Sequence, residues 1–173
     1  MLYTLYMCNP LETTFEIGQP VVYPQQGLGI IRGIKTRQRE NGTVSYYEIY
    51  LEHTEMTLMI PVSSVKDLGV RALVTAEEAK QAIESISGKP DLGPADWKIR
   101  YQKNVDLMKT GKIGNIAKVV QTLYNRSKLK ELPIHERKLY DGALSLLIDE
   151  ASIAMDRDKD EISTMILSRL EKK

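Results

Sequence analysis

The chain has 173 residues, of which 42% are hydrophobic and 27% charged, ordinary globular usage that excludes disorder throughout. Its 24 Lys plus Arg face 23 Asp plus Glu, so total charge selects no partner. One cysteine, Cys8, excludes an internal disulfide framework and fits a reducing, cytoplasmic compartment, and no apolar run approaches the roughly 18 residues of a membrane span.

The start, "MLYTLYMCNP", lacks the basic region and long apolar core of a signal peptide. Residues 1–14 are expected to form an N-terminal extension, with Met7 as an alternative start. From Phe15 to about Leu68 the pattern is that of β-structure. "VVYP" (21–24) and "GLGIIRGI" (27–34) are short β-branched runs punctuated by Pro24, Gly27 and Gly29. "TVSYYEIYL" (43–51) follows Asn41-Gly42, a hairpin signal because both residues tolerate positive φ. "MTLMIP" (56–61) ends on Pro61, which cannot donate to a ladder. Four or five short strands suit a small, bent SH3- or Tudor-like antiparallel barrel over residues 15–70.

After residue 70 the period becomes helical. Thr75 and Glu78 stand in capping-box spacing before "AEEAKQAIES". "SGKPDLGP" (87–94) is a breaker-rich link. A helix is predicted from Pro94 to Gly111, with Trp97, Tyr101, Val105 and Met108 as its apolar stripe. Others are predicted over 113–128, from Pro133 to about Met155, and over 159–171. The class is therefore α+β: a small β-barrel domain followed by a compact all-α domain over 71–173.

Splitting the charge by segment exposes an asymmetry. Residues 89–138 hold twelve basic against five acidic side chains, a net +7, whereas 139–173 hold five against eight, a net −3. A basic block of that density suits a polyanion, although lysines on solvated helix faces give the same count.

Catalytic and metal signatures fail on spacing. The third glycine of "GLGIIRG" is one residue late for a dinucleotide fingerprint, and no helix follows it. In "TGKIG", Ile113 replaces the Mg²⁺-binding hydroxyl of a P-loop, and Asp106 stands where its first glycine belongs. His53 and His135 lie in different halves with no second ligand at spacing, so both read as surface or hydrogen-bonding residues. "DRDKDE" (156–161) lacks the glycine and terminal Glu of an EF-hand loop. No enzyme, cofactor or metal is expected.

The stretch "ADWKIRYQKN" (95–104) holds the only tryptophan, with Lys98, Arg100 and Lys103 close behind. Helical spacing makes Trp97 a core residue. Its place in a first turn beside three cations makes it an exposed aromatic of the kind that wedges into a minor groove, with basic residues on the phosphates.

Taken together, these motifs resemble a known family. "FEIGQPVVYPQQGLGIIRGI" is similar to the opening of the CarD-like (CdnL) bacterial transcription regulators, and "MTLMIP", "LGVR" (68–71) and Trp97 to Tyr101 recur at the family's spacing. "TGKIGNIAKVVQTLY" and "ERKLYDGALSLLIDE" resemble its later helices. The resemblance implies an RNA-polymerase-interacting β-domain like that of the transcription-repair coupling factor, docking on the β subunit by edge-strand pairing, with Arg37, Ile49, Met59 and Pro61 at the contact positions. Some members carry arginine where Met59 stands. It further implies a helical domain that grips promoter DNA at the upstream edge of the bubble through Trp97 and Arg100, stabilising the open complex with little sequence specificity. Some relatives carry basic residues at the positions of Gln102 and Ile99. From the local charge we add Lys98, Lys103, Arg137 and Lys138 as phosphate contacts, in a protein expected to be monomeric. The competing class is a non-enzymatic protein–protein adapter with a buried Trp97 and no DNA contact.

Overall fold

The computed structural model describes residues 14–24, 26–39, 42–86 and 91–172. The expected N-terminal extension lies outside these except for Thr14. So do Asn41 of the hairpin turn and residues 87–90 of the link.

Five antiparallel strands come first: β1 (Pro20–Tyr23), β2 (Gly27–Arg39), β3 (Gly42–Leu51), β4 (Met56–Pro61) and β5 (Arg71–Ala72). They pair in the order β4-β3-β2-β1-β5, which leaves β4 along one edge. β5 is a two-residue strand too short for periodicity to reveal, and it carries the sheet just past the boundary expected at 70.

Strand parity sorts the side chains. On β3, Tyr47, Ile49 and Leu51 point into the β-core, with Ile31 and Ile60 as register partners of Ile49 and Tyr47. Tyr46, Glu48 and Tyr50 take the opposite, outer face. A bulge at Arg32, between the pairs Ile31–Ile49 and Gly33–Glu48, lets both Ile31 and Ile34 turn inward although they are three residues apart. Gly29 is buried against this core: a Cβ there would lie 2.7 Å from Ile49 Cγ2 and 3.0 Å from the Tyr50 carbonyl oxygen. Only a residue without a side chain lets β2 approach β3 so closely.

Helices α1 (Ala76–Ser85), α2 (Trp97–Lys109), α3 (Ile113–Leu129), α4 (Ile134–Met155) and α5 (Lys159–Glu171) follow. The capping box is formed: the Thr75 hydroxyl accepts from the Glu78 N–H, and the Glu78 carboxylate accepts from the Thr75 N–H at 2.8 Å. Ile116, Val120, Leu123, Leu147, Ile162 and Ile166 are fully buried at the centre of the bundle. Among the described residues no helix is long and apolar enough to cross a membrane.

The two layers share a wall. Val21 belongs to the β-core, whereas its neighbour Val22, together with Leu28, packs into the helical core. Arg71 seals the seam. Its guanidinium donates to both carboxylate oxygens of Glu150 on α4, at 2.5 and 2.9 Å, and to the Gly111 carbonyl at 2.7 Å. Glu150 also accepts from the Val74 N–H and is fully buried. A carboxylate so enclosed is tolerated because every bond it accepts is charge-assisted or from backbone.

Candidate nucleic-acid and polymerase interfaces

The first surface is the outer face of the sheet beside the β4 edge. Met59 and Pro61 pair with Glu48 and Tyr46, which places both on that outer face. Arg37, exposed on β2, reaches across β3 until its Nη2 lies 3.6 Å from Met59 Sδ. Lys35 bonds Glu48 at 2.9 Å, and Arg39 stands over the Tyr46 ring. Arg37, Met59 and Pro61 thus share one face next to a strand edge that is unpaired among the described residues, the geometry that strand addition uses. Ile49 does not join them. Its side chain is 0% exposed in the β-core, and β3 is paired on both sides. The expectation of a contact through Ile49 is corrected: its parity matches Tyr47 and Leu51, which form the core.

The second surface is built at the start of α2. Asp96 caps the helix, its side chain accepting from the Lys98 and Ile99 N–H groups. Trp97 is therefore the first helical residue, where no preceding turn covers it, and it is 38% exposed. Its indole lies parallel to the His135 ring of α4, with centroids 6.5 Å apart and planes 9° from parallel. Tyr101, one turn further along α2, meets the same imidazole in a tilted contact at 6.1 Å. The Lys98 ammonium stands 6.0 Å from the Trp97 ring centre.

Beneath this aromatic group lies a buried ion pair. Arg100, only 3% exposed, donates from Nε and Nη2 to the two oxygens of Glu136, at 2.8 and 2.7 Å, and Glu136 is 0% exposed. The remaining Nη1 donates to the carbonyls of Pro94 and Ala95. The bidentate fork, with carbonyls on its third nitrogen, makes burial of the charge tolerable. Gly93, at φ +61°, lies against the Arg100 stem, where a Cβ would come within 3.2 Å. The expected phosphate contact of Arg100 is thus corrected: the guanidinium is spent on Glu136 and the link, and it clamps the start of α2 to α4.

The other expected cations are exposed and distributed around the clamp. Lys138, one turn beyond His135, lines a cleft of about 360 Å³ together with Tyr101 and so lies near the aromatic group. Lys103 sits six residues after Trp97, about 120° around α2, and shares with Lys98, Ile99 and Gln102 an open groove on the exposed face of the helix. Arg137 is two residues from His135 and so points from a different side of α4. The apolar stripe also differs from expectation. The buried positions of α2 are Arg100, Asn104 and Met108, while Tyr101 and Val105 are half-buried, so the buried face is rotated by roughly 50°. Glu136 escaped the sequence reading because nothing local marks a partner 36 residues away on another helix, and the reading of His135 as a surface or hydrogen-bonding residue gave no sign of its ring contacts.

A small β-domain with an edge strand is thus joined to a helical domain, basic in its first half, that presents an aromatic at a helix start, which fits the transcription-regulator class that the sequence resembles. Comparison with known families gives the same class: residues 15–74 match the CarD-like/TRCF RID domain, and residues 81–167 match the CarD C-terminal domain. The chain belongs to the CarD-like family of transcription regulators, and its β-domain is of the RNA-polymerase-interacting type. Among its relatives is YdeB of Bacillus subtilis (strain 168), a protein named as a candidate transcription factor, 33% identical over 139 residues that cover 80% of this chain and 91% of the relative.

Proposed function

We propose that this protein docks on the RNA polymerase β subunit through the β4 edge and its neighbours Arg37, Met59 and Pro61, and holds promoter DNA at the upstream edge of the transcription bubble with Trp97. The observation that carries the reading is the state of Trp97: an exposed indole in an offset parallel contact with His135, with Lys98 close by and Lys138 near Tyr101. An aromatic that wedges at a base step needs a free face and phosphate-binding cations near it. The cations carry no base code, and the minor groove offers a degenerate one, so the grip depends little on sequence.

The mechanism is differential binding without chemistry. Anchoring to polymerase turns the DNA contact into an intramolecular event, so the DNA contacts need only be weak. A wedge that fits the distorted edge of the melted region better than intact duplex favours the open complex, and a difference of about 1.4 kcal/mol shifts that equilibrium tenfold. Co-purification with polymerase, followed by measurement of open-complex lifetime, tests both halves. Trp97→Ala should retain polymerase binding and lose most of the effect on lifetime, while Arg37→Glu should weaken the co-purification. Full lifetime activity in Trp97→Ala would sink the wedge and leave the adapter reading.

A further inference from the structure

We propose that His135 is the positioning residue for Trp97: the imidazole, offset and parallel to the indole, limits its orientation before any nucleic acid arrives. The idea rests on the DNA reading above for its functional half, while its structural half stands without that reading. Trp97 is the first residue of α2, so its own helix supplies no preceding turn to fix its rotamer. What fixes it is α4. The two rings are within 9° of parallel, and Tyr101 closes on the imidazole from the next turn. His135, itself exposed, thus meets two aromatics of a single helix, Trp97 in a parallel contact and Tyr101 in a tilted one.

The imidazole can serve as a fixed shelf because its neighbour in sequence is locked. Glu136 is wholly buried and bonded through both oxygens to Arg100, on the same helix as Trp97 and Tyr101. Arg100 in turn holds the Pro94 and Ala95 carbonyls, which fixes the chain entering α2. The ion pair sets the spacing of the two helix starts, and the ring stack converts that spacing into the orientation of one indole. Ordering a side chain in the free protein removes that cost from the binding step. Without that contact the exposed indole has no ring on α4 to limit its choice of rotamer.

The test uses the intact chain, whose single tryptophan reports directly on the shelf. His135→Ala and His135→Gln should raise acrylamide quenching of Trp97 roughly twofold and lower its fluorescence anisotropy, while circular dichroism confirms the fold. His135→Phe, which restores a ring, should return both signals to wild type. In the polymerase assay, His135→Ala and His135→Gln should shorten the open-complex lifetime roughly three- to tenfold with polymerase affinity unchanged, and His135→Phe should rescue it. Unchanged quenching and anisotropy in both ring-less variants would overturn the positioning role. So would altered fluorescence with normal lifetime in a protein whose Trp97→Ala variant is inactive. If Trp97→Ala itself retains activity, the DNA reading fails, and the shelf is then judged on fluorescence alone.

Discussion

The two buried ion pairs permit a quantitative comparison, because they share chemistry and differ in enclosure. Replacing Glu136 by Ala leaves Arg100, 3% exposed, with a guanidinium that has lost two short charge-assisted bonds and keeps only two backbone carbonyls. Replacing Glu150 by Ala strands Arg71 in the same way, but a quarter of that side chain already meets solvent, and water can re-satisfy part of it. Breaking a buried pair from one side costs about 3–5 kcal/mol. The Glu136 change belongs at the top of that range, about 5 kcal/mol, and the Glu150 change at the bottom, about 3 kcal/mol. For a chain of this size each kcal/mol lowers Tm by roughly 2–4 °C, so drops of about 10–20 °C and 6–12 °C are expected. Thermal unfolding followed by circular dichroism measures both. A double change, Arg100→Met with Glu136→Leu, should recover most of the loss, because an apolar pair of similar volume leaves no charge unpaired. A Tm drop for Glu136→Ala smaller than for Glu150→Ala, or a double variant no better than the single one, would refute the burial argument.

Two further outcomes follow from local geometry. Gly29→Ala should destabilise the β-domain by about 2 kcal/mol, because the new methyl must push aside Ile49 and the Tyr50 carbonyl, and the loss will appear as a lower Tm and weaker polymerase binding. The Thr75 backbone and side-chain bonds hold the Glu78 carboxyl below its usual range. Its contribution to α1 is therefore present above the unfolded carboxylate pKa and is lost as pH falls through the depressed folded value. The Tm gap between wild type and Glu78→Ala should accordingly shrink on acidification, and a gap that grows in acid would contradict the capping box.

Much of the fold was legible because its signals are local. The capping box at Thr75 and Glu78, the β-branched runs of β1 to β4 and the apolar period of α3 each declare themselves within a dozen residues. The sites were only half legible. The family resemblance puts Ile49 at an interface, although its alternation with Tyr47 and Leu51 marks the inner face of the same strand. Arg100 carries a charge, and charges are ordinarily assigned to solvent. Its burial depends on Glu136, which reaches it only after α2 and α4 pack. The same dependence rotated the buried face of α2, where Arg100 and Asn104 occupy positions that hydrophobic periodicity gives to Tyr101 and Val105. Trp97 was readable as exposed from its place after Pro94, whereas the ring beneath it was not.

The divided loyalties of Val21 and Val22 have a consequence for how the molecule comes apart. Consecutive residues of one strand seal two different cores, so the β1–β2 hairpin cannot peel away without opening the helical interior to water. Each half loses part of its own interior when the other departs, which joins their melting into one cooperative event. A fragment cut at the seam would carry Val22 and Leu28, or the helical surface that receives them, as a sticky apolar scar. In the intact chain that surface stays covered, because the strand that closes one core also closes the other.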